Sequence, residues 1–259
     1  MTPLAEIRGL HVDFPGSTGW QPAVRGVSLV LGREKVGLVG ESGSGKSVTG
    51  RALMRLLPPT ARIRAEALSV AGTDLLTATP GAMRRLRGAR IGLILQDPKF
   101  SLNPVMPAGE QIAEAWRAHH RGSRREAREA ALELLSQVLI RDPVRVFAAY
   151  PHELSGGMGQ RVMIAMMLAP GPDLLIADEP TSALDATVQA EILRLLDCLV
   201  SDRGMGLVLI SHDLPLVSRF CDRIVVMYGG RVMEELRAAD LHAARHPYTR
   251  GLLNCLPRL

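Results

Sequence analysis

Two kinds of apolar spacing divide the chain. Over "LAEIRGLHVDF" (4–14) and "VRGVSLVLG" (24–32) apolar and polar residues alternate. Such alternation predicts strands with one wet face, paired as an antiparallel hairpin around the turn-like "PGSTGWQP" at 15–22. Five other runs are apolar almost throughout: "KVGLVG" (35–40), "IGLILQDP" (91–98), "LLIADEP" (174–180), "LVLISHD" (207–213) and "RIVVMYGG" (223–230). Short and unalternating, they predict strands buried on both faces, and therefore a mainly parallel sheet flanked by helices. Helical spacing fills the intervals. "SVTGRALMRLL" (47–57) is ended by Pro58 and Pro59, and "MGQRVMIAMMLA" (158–169) reads as helix from Gln160 onward. The glycines ahead of it, Gly156, Gly157 and Gly159 in "LSGGMGQR" (154–161), would each weaken a helix interior by about 1 kcal/mol against alanine.

Residues 104–150 break this rhythm. "GEQIAEAWRAHHRGSRREAREAALELLSQVL" (109–139) holds no strand pattern and predicts two helices broken near Gly122 and Ser123, a helical insertion between Gln96 and the glycine stretch. Within it "RGSRREAR" (121–128) is interleaved with Glu126 and followed by Glu129, so it reads as a solvated helix face rather than a nucleic-acid patch.

Composition narrows the class. At 259 residues the chain can hold one large α/β domain with an inserted subdomain, and aromatics at 3% leave the core to aliphatic side chains. The longest apolar run, "VMIAMMLAP" (162–170), is far short of the roughly 18 residues a membrane helix needs. The N-terminus lacks a basic n-region followed by an apolar h-region, so a cytosolic chain is expected. Cys198, Cys221 and Cys255 stand far apart with no CxxC pair, which predicts reduced, partly buried thiols rather than a disulfide framework or zinc site. A net charge of +5 is compatible with nucleic acid, an anionic membrane face or nucleotide phosphates, and alone decides nothing. More telling, only Lys35, Lys46 and Lys99 among 31 basic residues are lysines. A chain that nearly always uses arginine keeps a compact ammonium at position 46.

The reason lies in "GESGSGKS" (40–47), which fits G-x-x-x-x-G-K-[ST] between a predicted strand and a predicted helix. Gly40, Gly43 and Gly45, with Glu41, Ser42 and Ser44, let the backbone curl so that N–H groups point at phosphate oxygens. The helix beginning near Val48 adds its dipole. Lys46 reaches the β- and γ-phosphates and the Ser47 hydroxyl binds Mg²⁺. In "LLIADE" (174–179) a buried strand ends on two carboxylates. Asp178 can face the metal, and Glu179 can polarise a water for in-line attack. Alone, such an acidic pair often caps the next helix; beside a phosphate loop it marks a nucleotide hydrolase.

In order the chain carries a Walker A motif (40–47), Gln96 at a strand end, "LSGGMGQR", a Walker B motif (174–179), "SALD" (182–185) and His212. Over essentially its whole length it resembles the nucleotide-binding subunit of an ATP-binding cassette (ABC) transporter. The resemblance implies a P-loop NTPase (RecA-like) core with a mainly parallel sheet, an antiparallel β subdomain and an inserted helical subdomain. It places the core at 1–96 and 156–235, the helical subdomain at 97–155 and a C-terminal extension at 236–259. ATP and Mg²⁺ are the implied cofactors. Gln96 is similar to the family's Q-loop glutamine at the metal, Asp185 to its D-loop aspartate, and His212 to the switch histidine that orients the attacking water. A lone histidine after "LVLIS" would otherwise read as a satisfied polar residue at a strand end. Phe14 sits where the family stacks an aromatic on adenine; Trp20 is a rival, and core packing is an alternative for both.

The family also implies two subunits sandwiching two ATPs, each held by the P-loop of one subunit and by Ser155, Gly156, Gly157 and Gln160 of the other. Two transmembrane permease subunits and, indirectly, a solute-binding protein complete the assembly, at the cytoplasmic face of the inner membrane. Nucleic acid is not an expected partner. "LQDPKFSLNPVMPAGEQI" (95–112), "YPHELSGGM" (150–158) and "HPYTRGLLNCLPRL" (246–259) resemble the oligopeptide, dipeptide and nickel branch of importers. Peptide uptake is therefore the expected function, with nickel or a metal chelate as the alternative and a non-transport ABC ATPase as the remote one. The last segment holds one cysteine, so no iron–sulfur cluster is expected. Two departures stand out. Arg33 replaces the glycine of a Gly-Glu turn, and Gly159 replaces a larger residue, an exchange expected to loosen the first turn of the helix behind the signature.

Overall fold

The computed structural model describes residues 3–98, 101–182 and 184–255. Positions 99, 100 and 183, and the "LPRL" that closes the branch-specific segment, lie outside the described residues. Eleven strands form among them. These are β1 (Ala5–Gly16), β2 (Gly19–Leu31), β3 (Lys35–Val39), β4 (Arg62–Arg64), β5 (Ala67–Val70), β6 (Thr73–Asp74), β7 (Ile91–Ile94), β8 (Leu174–Asp178), β9 (Gly206–Ser211), β10 (Arg223–Tyr228) and β11 (Arg231–Arg237). The helices are α1 (Lys46–Leu53), α2 (Pro80–Leu86), α3 (Ala108–Arg117), α4 (Arg124–Gln137), α5 (Pro143–Ala148), α6 (Gly156–Leu168), α7 (Ala186–Arg203), α8 (Leu214–Phe220) and α9 (Pro247–Asn254). The chain divides into two compact units, residues 1–84 with 206–259, and residues 85–205.

In the first unit β1 and β2 pair antiparallel, with β4 and β5 added to β1 and β6 to β5. The expected turn is itself mostly strand. Phe14 pairs with Gln21 and Gly16 with Gly19, so only Ser17 and Thr18 turn. The strands outlast their alternating pattern because Pro15 and Pro22 sit on exposed positions of a two-stranded tip, where a missing N–H is tolerated. The same unit carries the parallel trio β10–β3–β9, with β11 antiparallel to β10. β9 is buried at every position, as a strand covered on both faces must be. Arg223 of β10 ties this sheet to the β2–β3 turn, donating to Glu34 Oε1 at 2.6 Å and to the Val30 carbonyl at 2.6 Å. Arg33, the departure from the Gly-Glu turn, is exposed while its neighbour Glu34 does the holding.

The α1 helix is shorter than its apolar spacing predicts. Arg55 adopts φ +47, and Leu56 N–H donates to the Arg51 carbonyl at 3.0 Å while Arg55 N–H donates to that of Ala52 at 3.0 Å. This paired C-terminal closure ends the helix before the prolines are reached.

In the second unit β7 and β8 pair in parallel and are fully buried. The two helices predicted within 109–139 are α3 and α4. Ser123 caps α4, its hydroxyl accepting from Glu126 N–H at 3.2 Å while the Glu126 carboxylate accepts from Ser123 N–H at 2.6 Å. That reciprocal box assigns Glu126 a local task and leaves "RGSRREAR" an exposed helix start. The core throughout is aliphatic, Phe147 being the only aromatic among the buried hydrophobic side chains of the described residues. No helix among the described residues is long and apolar enough to cross a membrane.

Of the three cysteines, Cys198 and Cys255 are exposed and Cys221, at the end of α8, is buried. Burial first, then the neighbouring Asp222 carboxylate, push the Cys221 thiol up to about 12, against a smaller opposing effect of Lys35. Since the thiolate is the nucleophile, iodoacetamide at pH 8 should modify Cys198 and Cys255 in the folded chain and spare Cys221. Peptide mapping that found Cys221 alkylated at a comparable rate would contradict its burial.

Candidate functional site

The first unit carries the candidate phosphate loop, 40–47. β3 ends at Val39, paired with Ser211, the last residue of β9. The loop leaving β3 at Gly40 and the segment leaving β9 at His212 therefore start from neighbouring strand ends. Gly40 (φ +150) and Gly45 (φ +96) adopt backbone angles that other residues rarely reach. Space enforces the same choice, since a Cβ at Gly40 would lie 2.0 Å from the Met227 carbonyl oxygen and one at Gly45 2.7 Å from that of Ala23. Gly230 N–H donates to the Ser44 carbonyl at 3.1 Å, fastening the middle of the loop to the turn after β10.

Gly45 is the N-cap of α1, and Lys46 and Ser47 open its first turn. Lys46 is buried, its Nζ donating to the carbonyls of Gly40 at 2.8 Å and Glu41 at 2.9 Å and to Ser44 Oγ at 3.3 Å. An ammonium offers three donors around a point, and this spot takes all three. The lysine that stood out in an arginine-rich composition thus sits at the centre of the loop. Glu41, Ser42 and Gly43 are exposed, and Ser47 and Val48 half-buried.

His212 is exposed, followed by Asp213, whose carboxylate caps α8 by accepting from Leu216 N–H at 2.9 Å. Gly40, Glu41 and His212 line one cavity of about 510 Å³ together with Leu252 and Cys255 of the C-terminal helix. Of the loop, only Gly40 and Glu41 line it; the contribution of α9 carries no signal in composition or spacing. Phe14 is half-buried on β1, whereas Trp20 is exposed with the Arg62 guanidinium 3.5 Å over its ring. One face of Trp20 is thereby committed to a cation–π contact, leaving Phe14 the better stacking candidate.

The second unit carries the other motifs. The helix behind the signature starts at Gly156, four residues ahead of the position its spacing predicts. Ser155 is its N-cap, accepting from Met158 N–H at 3.3 Å, and Gly159 N–H donates to the Ser155 carbonyl at 2.8 Å. Glycines are unfavourable in a helix interior, but the first turn is where their N–H groups lack partners anyway. Gly156 and Gly157 therefore stand at the positive end of a 13-residue helix. Gly157 has a packing reason too, because a Cβ there would come 2.9 Å from a Val188 methyl group of α7. At Gly159 the hydrogen bond of the first turn persists, and the Pro98 ring lies 3.4 Å from where a Cβ would be.

Gln160 is buried and donates its amide to the Pro180 carbonyl, bracing the turn after β8. Asp178 closes β8 and is buried; Glu179, half-buried, takes the left-handed conformation at φ +48. For a non-glycine residue that costs roughly 1–2 kcal/mol, and such strain gathers at functional positions. The turn is fixed by Ser182, whose N–H donates to the Glu179 carbonyl at 3.3 Å and whose hydroxyl donates to it at 3.2 Å. Asp185 is exposed and caps α7, accepting from Thr187 N–H at 3.1 Å and Val188 N–H at 3.0 Å. Gln96 lies exposed just beyond β7. The residues that follow it, Asp97 and Pro98, line a cleft of about 180 Å³ with Ser155, Gly156, Gln160 and Leu184. Segments far apart in sequence, all singled out by motif, thus converge.

The family model described as "ABC transporter" matches residues 24–182. The chain is 49% identical over 258 residues to a probable D,D-dipeptide transport ATP-binding protein of Escherichia coli, covering 98% of this chain and 79% of that one. A putative peptide import ATP-binding protein of Brucella abortus is 48% identical over 259 residues, covering 99% and 78%. Among solved structures, an ATP-binding cassette crystallised as a dimer in a post-hydrolysis state with ADP and phosphate superposes with a TM-score of 0.80. It is 29% identical and is matched over 90% of this chain and 98% of that one. A cassette from a Clostridium perfringens ABC transporter complex gives a TM-score of 0.76 at 25% identity, over 100% and 97%.

Proposed function

This chain belongs to the ABC transporter family, and from that premise we propose that it is the ATP-hydrolysing subunit of a peptide importer. The chain binds and hydrolyses ATP, and its fold is that of the family's α/β cassettes. The observation that carries the peptide assignment is near-full-length identity of 48–49% to relatives named for dipeptide and peptide import. Those relatives do not favour the nickel alternative. A host strain lacking this chain should lose uptake of a labelled dipeptide and regain it with the wild-type gene, while growth on limiting nickel stays unchanged. Lost nickel uptake with intact peptide uptake would reverse the assignment.

The site residues take the following roles in this reading. Gly40 to Gly45 present N–H groups to the phosphates, Lys46 places its ammonium between β and γ, and Phe14 stacks on adenine. Hard oxygen donors suit Mg²⁺, and Ser47, Asp178 and Gln96 supply a hydroxyl, a carboxylate and an amide oxygen for it. When bound, the ion offsets charge on the β- and γ-oxygens. Glu179 accepts the proton of the attacking water, and His212 orients that water. Ser155, Gly156 and Gly157 cap the γ-phosphate held by a second subunit, identical or homologous. The exposed N-terminus of α6 and the dimeric solved relative support this. Gln160 and Asp185 act at one remove, bracing the Pro180 turn and the start of α7. The helical segment 97–155 receives the permease, which holds the subunit at the cytoplasmic face of the membrane.

A further inference from the structure

A cavity of about 760 Å³ opens in the second unit between α4, α6 and α7, and none of the roles above uses it. Its volume is that of a small-molecule site. One face of α7 forms its floor. Arg194, Cys198 and Asp202 follow one another there at four-residue steps, with Leu195 and Leu199 in the adjoining row. The two leucines are buried and the other three residues exposed. The floor therefore runs from a cation through a thiol to a carboxylate along one edge and is apolar along the other. Eight residues of helix set the two charges about 12 Å apart along the axis.

Charge around the cavity is uneven. Four arginines line it against two carboxylates, and one of these, Glu191, is taken by Arg161 at 2.8 Å. Arg203 is held by neutral acceptors, the Gln137 amide oxygen at 2.6 Å and the Leu168 carbonyl at 3.3 Å, so no touching carboxylate offsets its charge. The side chains of Arg141, Arg194 and Asp202 have no hydrogen-bond or ion-pair partner among the described residues. Leu139, on the opposite wall, is a different kind of anomaly. It takes φ +60 where α4 closes, with Ile140 N–H donating to the Leu135 carbonyl at 3.0 Å, and is 63% exposed. Glycine or asparagine would make that closure with less strain. A strained leucine that leaves its side chain in water gains nothing for folding, and such strain gathers at functional positions.

We propose that this cavity binds a short peptide with free ends, about three residues long. Its carboxylate pairs with the Arg194 guanidinium, its ammonium with Asp202, and an apolar side chain covers Leu195 and Leu199 beside Leu139. An extended tripeptide spans about 10–11 Å, close to the separation of the two charges. A phosphate or a dicarboxylate would use the arginines but leave Asp202 and the leucines unanswered. The inference stands apart from the transport reading, because it uses only residues of the second unit that have no part in holding or hydrolysing ATP.

The test uses the full chain and the tripeptide Ala-Leu-Ala. Saturating peptide should slow iodoacetamide labelling of Cys198 severalfold and leave Cys255, which lies in the first unit, unchanged. By calorimetry, Arg194→Ala and Asp202→Asn should each weaken peptide binding about tenfold. Both side chains are exposed and unpartnered, so Tm should not move. The C-terminal amide of the peptide should lose affinity as Arg194→Ala does, and its N-acetyl form as Asp202→Asn does. Wild-type affinity in either variant, equal slowing at the two cysteines, or protection by inorganic phosphate as strong as by the peptide would overturn the inference. The dipeptide uptake assay judges the transport reading on its own, so the two can fail separately.

Discussion

Replacing Lys46 by alanine is expected to abolish useful ATP binding, with affinity falling roughly thirty- to several-thousand-fold. The Nζ is buried at the mouth of a loop whose glycine angles and close contacts leave it no slack, and it touches two carbonyls and a hydroxyl of that same loop. Alanine removes a compact cation placed to bridge two phosphates and takes the ammonium from the Gly40 carbonyl, while the Glu41 carbonyl keeps its bond from Ser44 N–H. Arginine should fail as well, since a planar fork cannot occupy a three-donor point site. Equilibrium binding of a fluorescent ATP analogue measures both. Unchanged affinity in the alanine variant would refute the phosphate-loop assignment.

The second large effect is expected at Glu179. Glutamine keeps the size and the polar carbonyl but cannot accept a proton, so kcat should drop by about 10²- to 10⁴-fold, the usual worth of a general base. ATP affinity should hold, because Glu179 binds no phosphate in this reading. With binding intact and turnover stopped, ATP should accumulate a dimer on a sizing column. Hydrolysis near the wild-type rate in Glu179→Gln would remove Glu179 as the base.

Much of the fold is legible in the sequence. The buried runs at 35–40, 91–98, 174–180, 207–213 and 223–230 each became a parallel-paired strand, because a strand covered on both faces has no polar position to spare. The phosphate loop was legible for a related reason: curling a backbone around a phosphate restricts residue type at several fixed positions at once. Element ends were not legible. Helix α1 stops early at Arg55, a residue with no αL preference, and the signature helix starts early on residues that composition counts against helices. In both places hydrogen bonds to the terminal backbone, rather than propensity, set the boundary. Strands β4, β5 and β6 are not legible either, because at two to four residues they are too short to display a period. The cavity shared by Gly40, Glu41, Leu252 and Cys255 joins positions more than two hundred residues apart, and no local pattern can announce such a meeting.

The left-handed backbone at Glu179 has a consequence for how this position can vary. Glycine would adopt that conformation without strain, at the cost of a more flexible unfolded chain and of the contacts the Glu179 side chain makes. If Glu179 is the base proposed above, the backbone strain at this position and the chemistry of its carboxylate pull the choice of residue in different directions. In that reading the chain gives up folding free energy for rate at this position. In a library screened only for thermal stability, nothing in the left-handed turn itself would retain glutamate at residue 179.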